Sequence, residues 1–412
     1  MVALRTLGAA ASAVALACPL LGRTANSEAM LVEDPGLAIV CAKVLTVDDD
    51  DRVYAPGMIL VEDGRITYVG GRTEVPQGFE TIELDEAWAA PGLVDLHTHI
   101  HAGGFQDTND MVLPVNPELR AAPALIPSNR LIRRACAGGV TTLLGIPGSG
   151  TSLSGFGILY KAKTDAKYHE AVVRAIGGMK VAQTHNPERR AGDLGATRSG
   201  LSWLLEDMND RAVAAKRDER FDLQLENLKK VHAREIPVMV HCAAAQGVAS
   251  TARMWRGRYD TRSVLSHGSF NGYKAAEFVA SLDMPVNHGP RTMDYRSTRT
   301  GAIVGTAQVF VEAGVPLFSL NTDSGIVAQE EFFLQGAMSA RLGADPYQML
   351  RAVTIHPAKS FGIDSRVGSL EAGKDADIVL FSGEPLDPRS RVELVLIDGT
   401  IQYDRNRDGQ WF

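Results

Sequence analysis

The chain has 412 residues, 45% hydrophobic and 22% charged, and its 42 Lys plus Arg against 49 Asp plus Glu give a formal net charge of −7. That length exceeds a single simple layered unit and fits a large catalytic domain with a smaller companion, and the composition excludes a disordered chain. Mild acidity excludes a broad phosphate-binding surface, so the expected partner is a small molecule and not a nucleic acid.

Residues 1–25 read as an export leader, because Arg5 precedes an Ala-rich apolar run from Leu7 to Leu21 that suits a signal peptide better than a transmembrane helix. Ala15-Leu16-Ala17 offers a small-x-small cleavage site directly before Cys18. A cysteine there resembles a bacterial lipoprotein signal, although Ala15 stands where such signals usually carry Leu. The reading is therefore a periplasmic or secreted protein without a membrane span, a lipid anchor at Cys18 being one form of it. The alternative is an Ala-rich extension of a cytoplasmic protein. Cys41, Cys136 and Cys242 have neither redox nor zinc-knuckle spacing and read as small buried hydrophobes.

After the leader come short β-like segments: Leu37–Val47, Met58–Val61, Arg65–Val69 and Thr81–Leu84, with Asp63-Gly64 as a hairpin turn. The C-terminus has the same texture at Asp377–Phe381, Glu393–Ile397 and Thr400–Tyr403, with Asp398-Gly399 as a second hairpin signal. Segments 31–90 and 361–412 are thus expected to pair as one small β-sandwich, with residues 91–360 inserted between them.

That middle alternates strand and helix patterns. Strands are expected at Leu93–Leu96, Val140–Gly145, Gly157–Tyr160, Arg174–Val181, Ile236–Val240, Ser263–Ser266, Met284–Asn287 and Val315–Leu320. Helical stretches include Ser128–Ala137, Asp218–Arg234, Tyr273–Ser281 and Gln329–Arg341. The pattern is that of an α/β fold, a (β/α)8 TIM barrel.

Catalytic residues of such a barrel sit at the C-terminal strand ends. The first strand ends in His97-Thr98-His99, whose two imidazoles share one face and suit one zinc-like ion. The fifth ends in His241, the sixth in His267 and the eighth in Asp323. Any one of these alone reads as a satisfied core residue; four strands delivering such groups to one rim do not.

Pro91-Gly92-Leu93-Val94-Asp95-Leu96-His97-Thr98-His99 resembles the first-strand motif of the amidohydrolase superfamily, and Gly139-Val140-Thr141-Thr142 resembles the start of its second strand. Thr354-Ile355-His356-Pro357-Ala358, followed by Val367 to Val379, is similar to its return into the β-sandwich. The resemblance runs from Leu37 to Tyr403 and is closest to the imidazolonepropionase-like and dipeptidase-like branch. It implies one or two divalent ions, zinc above all, at His97, His99, His241, His267 and Asp323, with Asp323 as proton shuttle and His267 beside it in catalysis.

Lys180 lies near the end of the fourth strand, where dipeptidase-like relatives carry a carboxylated lysine that bridges two metals. A lysine beside two cations would be repelled unless neutral or anionic, and carboxylation removes that conflict. The alternative is an unmodified Lys180 turned outward, with His185 as the competing candidate. His101 is expected to touch substrate at most, and His288 to line the pocket or hold a developing oxyanion. His169, His185, His232 and His356 read as structural or surface residues. Specificity is expected in the loops Ala102–Pro127, Pro147–Phe156 and His185–Gly200.

The expected reaction is metal-assisted hydrolysis of an amide, cyclic amide or dipeptide bond. Its rival is single-metal deamination of a heterocycle, for which relatives, imidazolonepropionases included, carry a Glu a few residues beyond the fifth-strand histidine. Here that string is Cys242-Ala243-Ala244-Ala245-Gln246, with no carboxylate. A non-catalytic scaffold would be expected to lose ligands, and a serine hydrolase lacks its elbow spacing at Gly150–Gly155. A homo-oligomer is compatible with all of this.

Overall fold

The computed structural model describes residues 35–103, 109–110, 113–188, 197–290, 294–296 and 300–412. The leader expected over residues 1–25, with its Cys18, lies outside the described residues, as do parts of two of the expected specificity loops.

The first strands are β1 (Leu37–Leu45), β2 (Val53–Tyr54), β3 (Gly57–Glu62), β4 (Arg65–Gly71) and β5 (Glu80–Pro91). Asp63 and Gly64 turn β3 into β4 with φ of 49° and 73°, the left-handed pair that a tight hairpin needs. The last strands are β16 (Ile378–Phe381), β17 (Val392–Ile397) and β18 (Thr400–Asp404), and Asp398-Gly399 makes the same turn between β17 and β18 with φ of 47° and 73°. Both ends of the chain join one hydrogen-bonded sheet of order β18-β17-β16-β5-β1-β3-β4, with β2 on β1. The expected two-sheet sandwich is thus met as one continuous path. Its faces feed two cores: Ile378 and Leu380 pack with Ile39 and Leu394, while Val379 and Phe381 pack with Ala135 and Val140 of the barrel. Because Ile378 pairs with Pro91, the intervening chain leaves and re-enters at adjacent strands.

That intervening chain builds a second sheet from β6 (Leu93–Thr98), β7 (Val140–Gly145), β8 (Leu153–Lys161), β9 (Val172–Ala182), β10 (Val238–Ala243), β11 (Ser263–Ser269), β12 (Val286–His288) and β15 (Ser319–Leu320). Their spatial order follows the chain, with a hairpin of β13 (Asp294–Arg296) and β14 (Ile303–Gly305) between β12 and β15. The end strands meet at a parallel bridge from Thr98 to Ser324, where His99 N donates to Ser324 O at 2.8 Å. Strands β6, β7, β10 and β11 are buried at every position, as expected for strands covered on both faces.

One strand departs from the expectation of eight parallel strands. β8 runs antiparallel to both β7 and β9. The connection over residues 146–152 is shorter than the dozen or so residues that a parallel crossover requires, so the chain can only turn back. The end of β8 therefore points away from the mouth.

The helix Arg130–Ala137 is capped by Asn129, whose side chain accepts from Leu131 N. A long helix over Arg198–Arg217, not among those anticipated, starts at the Thr197 cap. The helix expected over Asp218–Arg234 shortens to Glu226–His232, because Asp222 spends its carboxylate on Gln224 N in a local turn. Among the described residues no helix is long and apolar enough to cross a membrane.

Candidate active site

His97 and His99 stand two apart at the end of β6 and reach the same mouth. In register, His241 lies opposite Ser266 and Cys242 opposite His267, and Lys180 lies opposite Met239. Asp323 follows β15 and closes the ring of groups. Its Oδ1 is 3.3 Å from His97 Nε2 and 3.0 Å from His99 Nε2. His97, His267 and Asp323 each offer a donor atom within 4.8 Å of the others, and the His241 and His267 rings are 4.4 Å apart between centroids.

The outward nitrogens decide what the inward ones present. His99 Nδ1 lies 2.9 Å from the Ile146 carbonyl, and His267 Nδ1 lies 2.8 Å from the Gly289 carbonyl. A carbonyl only accepts, so both Nδ1 atoms carry hydrogen and each ring, when neutral, turns an Nε2 lone pair inward. His97 Nδ1 meets Ser266 Oγ at 2.6 Å and His241 Nδ1 meets Ser149 Oγ at 3.0 Å, hydroxyls that accept the same arrangement. Nε2 of His241 and Nε2 of His267 are buried without a hydrogen-bond partner. Burial holds the His97 and His241 imidazoles well below their ordinary range and brings His267 to about 4. Lone pairs converging on a carboxylate repel one another unless a cation lies among them. Imidazole and carboxylate donors, each imidazole held from behind by a hydrogen bond, fit a zinc-like divalent ion.

Lys180 is fully buried and turned inward, its Nζ donating to Ser149 Oγ at 2.9 Å and to His97 Nε2 at 3.2 Å. Burial brings its ammonium down to about 7, so the amine form is accessible near neutrality. His185, the competing candidate, is exposed and packs against the Phe270 ring instead.

His101 is buried beside the mouth, and its Nδ1 has no hydrogen-bond partner; burial takes it down to about 4. His288 is committed elsewhere. Its Nδ1 donates to the His267 carbonyl at 2.6 Å, and its Nε2 is 2.8 Å from Thr306 Oγ1. With both nitrogens engaged in the wall, the ring supports β11 and offers an oxyanion no donor. His356 Nδ1 donates to the Phe318 carbonyl at 2.8 Å, a structural contact.

Several groups that hold the site were not singled out in the sequence. Ser149 and Ser266 back three of the inward groups, as above. Asp95 is buried and accepts from His97 N (2.9 Å), Thr322 Oγ1 (2.6 Å) and Gln329 Nε2 (2.6 Å), tying the end of β6 to the chain just before Asp323. Burial pushes it up to about 6 against those hydrogen bonds. One signal could have found it: Asp95, His97 and His99 share the two-residue alternation of a single strand face. Beyond His241 the structure keeps the gap seen in the sequence. Residues Ala243 to Ala245 carry only methyl groups, and Gln246 Oε1 accepts from Arg198 at 3.1 Å.

The model of the Amidohydrolase family matches residues 88–403. The chain is similar to the amidohydrolase tasK of Hapsidospora irregularis, 24% identical over 87% of this chain, and spans 42% of that relative's length. It is also similar to the imidazolonepropionase of Shouchella clausii, 26% identical over 80% of each chain. Among solved structures, an amidohydrolase from Thermotoga maritima aligns with a TM-score of 0.81 at 29% identity, covering 90% of this chain and 100% of that one.

Proposed function

The chain belongs to the amidohydrolase family, and on that premise we propose that it hydrolyses an amide, cyclic amide or dipeptide carbon–nitrogen bond at the mouth of the barrel. The observation that carries this reading is the inward lone-pair set of His97, His99, His241 and His267 around the Asp323 carboxylate. These residues with Lys180 would hold one or two divalent ions. A bound ion supplies Lewis acidity, acidifying water and polarising the scissile carbonyl.

The chain's own groups do the rest. Asp323 takes a proton from the attacking water and passes it to the leaving nitrogen. His267, held from behind by the Gly289 carbonyl, would keep its Nε2 turned to the ion beside Asp323. Asp95, Ser149 and Ser266 orient the ligating side chains, which lowers the reorganisation needed at reaction. In the amine form, Lys180 Nζ can add to carbon dioxide, forming an N–C bond and releasing one proton; the resulting carbamate is the anionic form a pair of cations would favour. The methyl groups of Ala243 to Ala245 supply no ring-protonating carboxylate and favour amide hydrolysis over heterocycle deamination.

The test is metal analysis of the purified protein together with turnover of N-acyl amino acids, dipeptides and cyclic amides, before and after chelation. About one or two equivalents of metal and chelator-sensitive turnover are expected; full turnover of metal-free protein contradicts the proposal. A 13C carbamate signal in bicarbonate-labelled protein tests Lys180. We assign 31–90 with 361–412 to the small domain and 91–360 to the barrel, a division supported by the β5–β16 pairing. We also assign the protein to a periplasmic or secreted setting, which an intact Met1 in the mature protein would contradict.

A further inference from the structure

Within three residues of their ends, three consecutive barrel strands are followed by non-glycine residues with left-handed backbone: His185 (φ 75°) after β9, Ala244 (φ 61°) after β10 and Phe270 (φ 59°) after β11. Glycine would take that conformation without strain, so a large ring held there is placed for something other than the turn. β10 lies between β9 and β11. The His185 and Phe270 rings nevertheless meet across its end, with centroids 5.2 Å apart and planes at 60°. Both stay exposed, Phe270 by 49%.

The pair stands close to the reacting centre. His185 stands three residues beyond Ala182, the partner of the ligand His241, and Phe270 stands three beyond the ligand His267, which sets the height of the rings above the ligand layer. At about 3.3 Å per residue the rings' backbones lie at most about 10 Å beyond it. The strand between them carries nothing larger than a methyl group from Ala243 to Ala245. Thr184 Oγ1 accepts from Ala243 N at 3.2 Å and Asn271 Oδ1 from Ala245 N at 3.0 Å, which ties the neighbours of both rings to the end of β10. Among the described residues, the two rings and the methyl groups of Ala243 to Ala245 are thus gathered at the end of β10. Glu188, the nearest acid in sequence to His185, accepts from His185 N at 2.8 Å.

We propose that His185 and Phe270 form an aromatic wall of the substrate pocket, selecting a substrate with a flat, uncharged aromatic acyl group at the hydrolysed bond; this rests on the hydrolase reading of the His97–Asp323 centre. The methyl groups and the Phe270 ring reward burial of such a group and, among the described residues at these positions, offer a charged one no ion-pair partner.

Zinc-loaded protein titrated with acetohydroxamate and benzohydroxamate tests it, because the two share the metal-binding head and differ by methyl against phenyl. Benzohydroxamate is expected to bind about tenfold tighter, and Phe270→Ala should bring the ratio of the two affinities to within about twofold of unity. His185→Ala, whose side chain is exposed and free to be truncated without a cavity, should lower the ratio severalfold and serves if Phe270→Ala folds poorly. Equal affinities in the native protein, or a preference that survives both substitutions, overturn the wall. Failure of both hydroxamates to bind overturns the metal-centre reading, and the wall falls with it.

Discussion

Two buried lysines on neighbouring strands have opposite surroundings. Lys161, the last residue of β8, is 2% exposed, and Lys180 of β9 is 0% exposed. Lys161 Nζ lies 2.6 Å from Asp377, 3.0 Å from Asp375 and 3.2 Å from Asp398. Burial pushes its ammonium down, but the three carboxylates outweigh that and hold it above the ordinary lysine range. Lys180 has only a hydroxyl and an imidazole within hydrogen-bonding distance, and burial prevails. The reversed direction of β8 makes the difference. It sends Lys161 to the bottom of the barrel, where the start of β16 brings Asp375 and Asp377, while β9 carries Lys180 towards the mouth. One lysine fastens the barrel to the terminal sheet; the other stands at the mouth without an ion-pair partner among the described residues. Burial alone therefore says little about a lysine's role; its partners decide.

Substitutions that separate the two regions should give opposite readouts. The largest effect is expected for Asp323→Asn at the mouth, with turnover down by about 10²–10⁴-fold, the usual range for a lost general acid–base. Metal content measured on the same sample should stay near the native value. Lys180→Met should also lower turnover by about a hundredfold or more, with little loss of stability, since it removes a buried polar group that lacks an ion-pair partner. Lys161→Met should do the reverse. Leaving three carboxylates without their buried cation costs about 3–5 kcal/mol in urea unfolding, while turnover per folded molecule is kept. If Lys161→Met abolished turnover with stability intact, the division of roles would be wrong.

Ser149→Ala gives a smaller change. It removes the acceptor of Lys180 and the backing of His241, and metal affinity in a chelator competition should fall about 10–100-fold. The smallest effect is a pH dependence. A lysine whose folded pKa is raised above its unfolded value contributes stability that is fully present below about pH 10.5 and lost as the pH rises through the folded value. Native protein should therefore lose stability above about pH 10.5 more steeply than Lys161→Met, as read by thermal unfolding at a series of alkaline pH values.

Much of the site was legible because strand alternation and strand ends are local facts. His97 and His99 share a face by spacing alone, and His241, His267 and Asp323 each close an apolar run. His288 closes one too, and there the same reasoning pointed to substrate. Its nitrogens are taken by the His267 carbonyl and Thr306, partners that only the packing of β11 and the following helix supplies. Ser149 and Ser266 carried no signal, since a lone serine after a strand looks like any loop residue until it faces Lys180, His241 or His97.

By itself the sequence determined the local elements: the Asp63-Gly64 and Asp398-Gly399 hairpins, the apolar runs that become barrel strands, and the histidines at their ends. Backbone sterics and hydrophobic periodicity act over a few residues and need no partner. Only the tertiary structure decided that β8 runs backwards, that Lys161 meets Asp377, and that His185 and Phe270 meet across β10. A buried strand reads the same in either direction. Contacts between residues tens to hundreds of positions apart exist only once the barrel closes and the terminal strands pair.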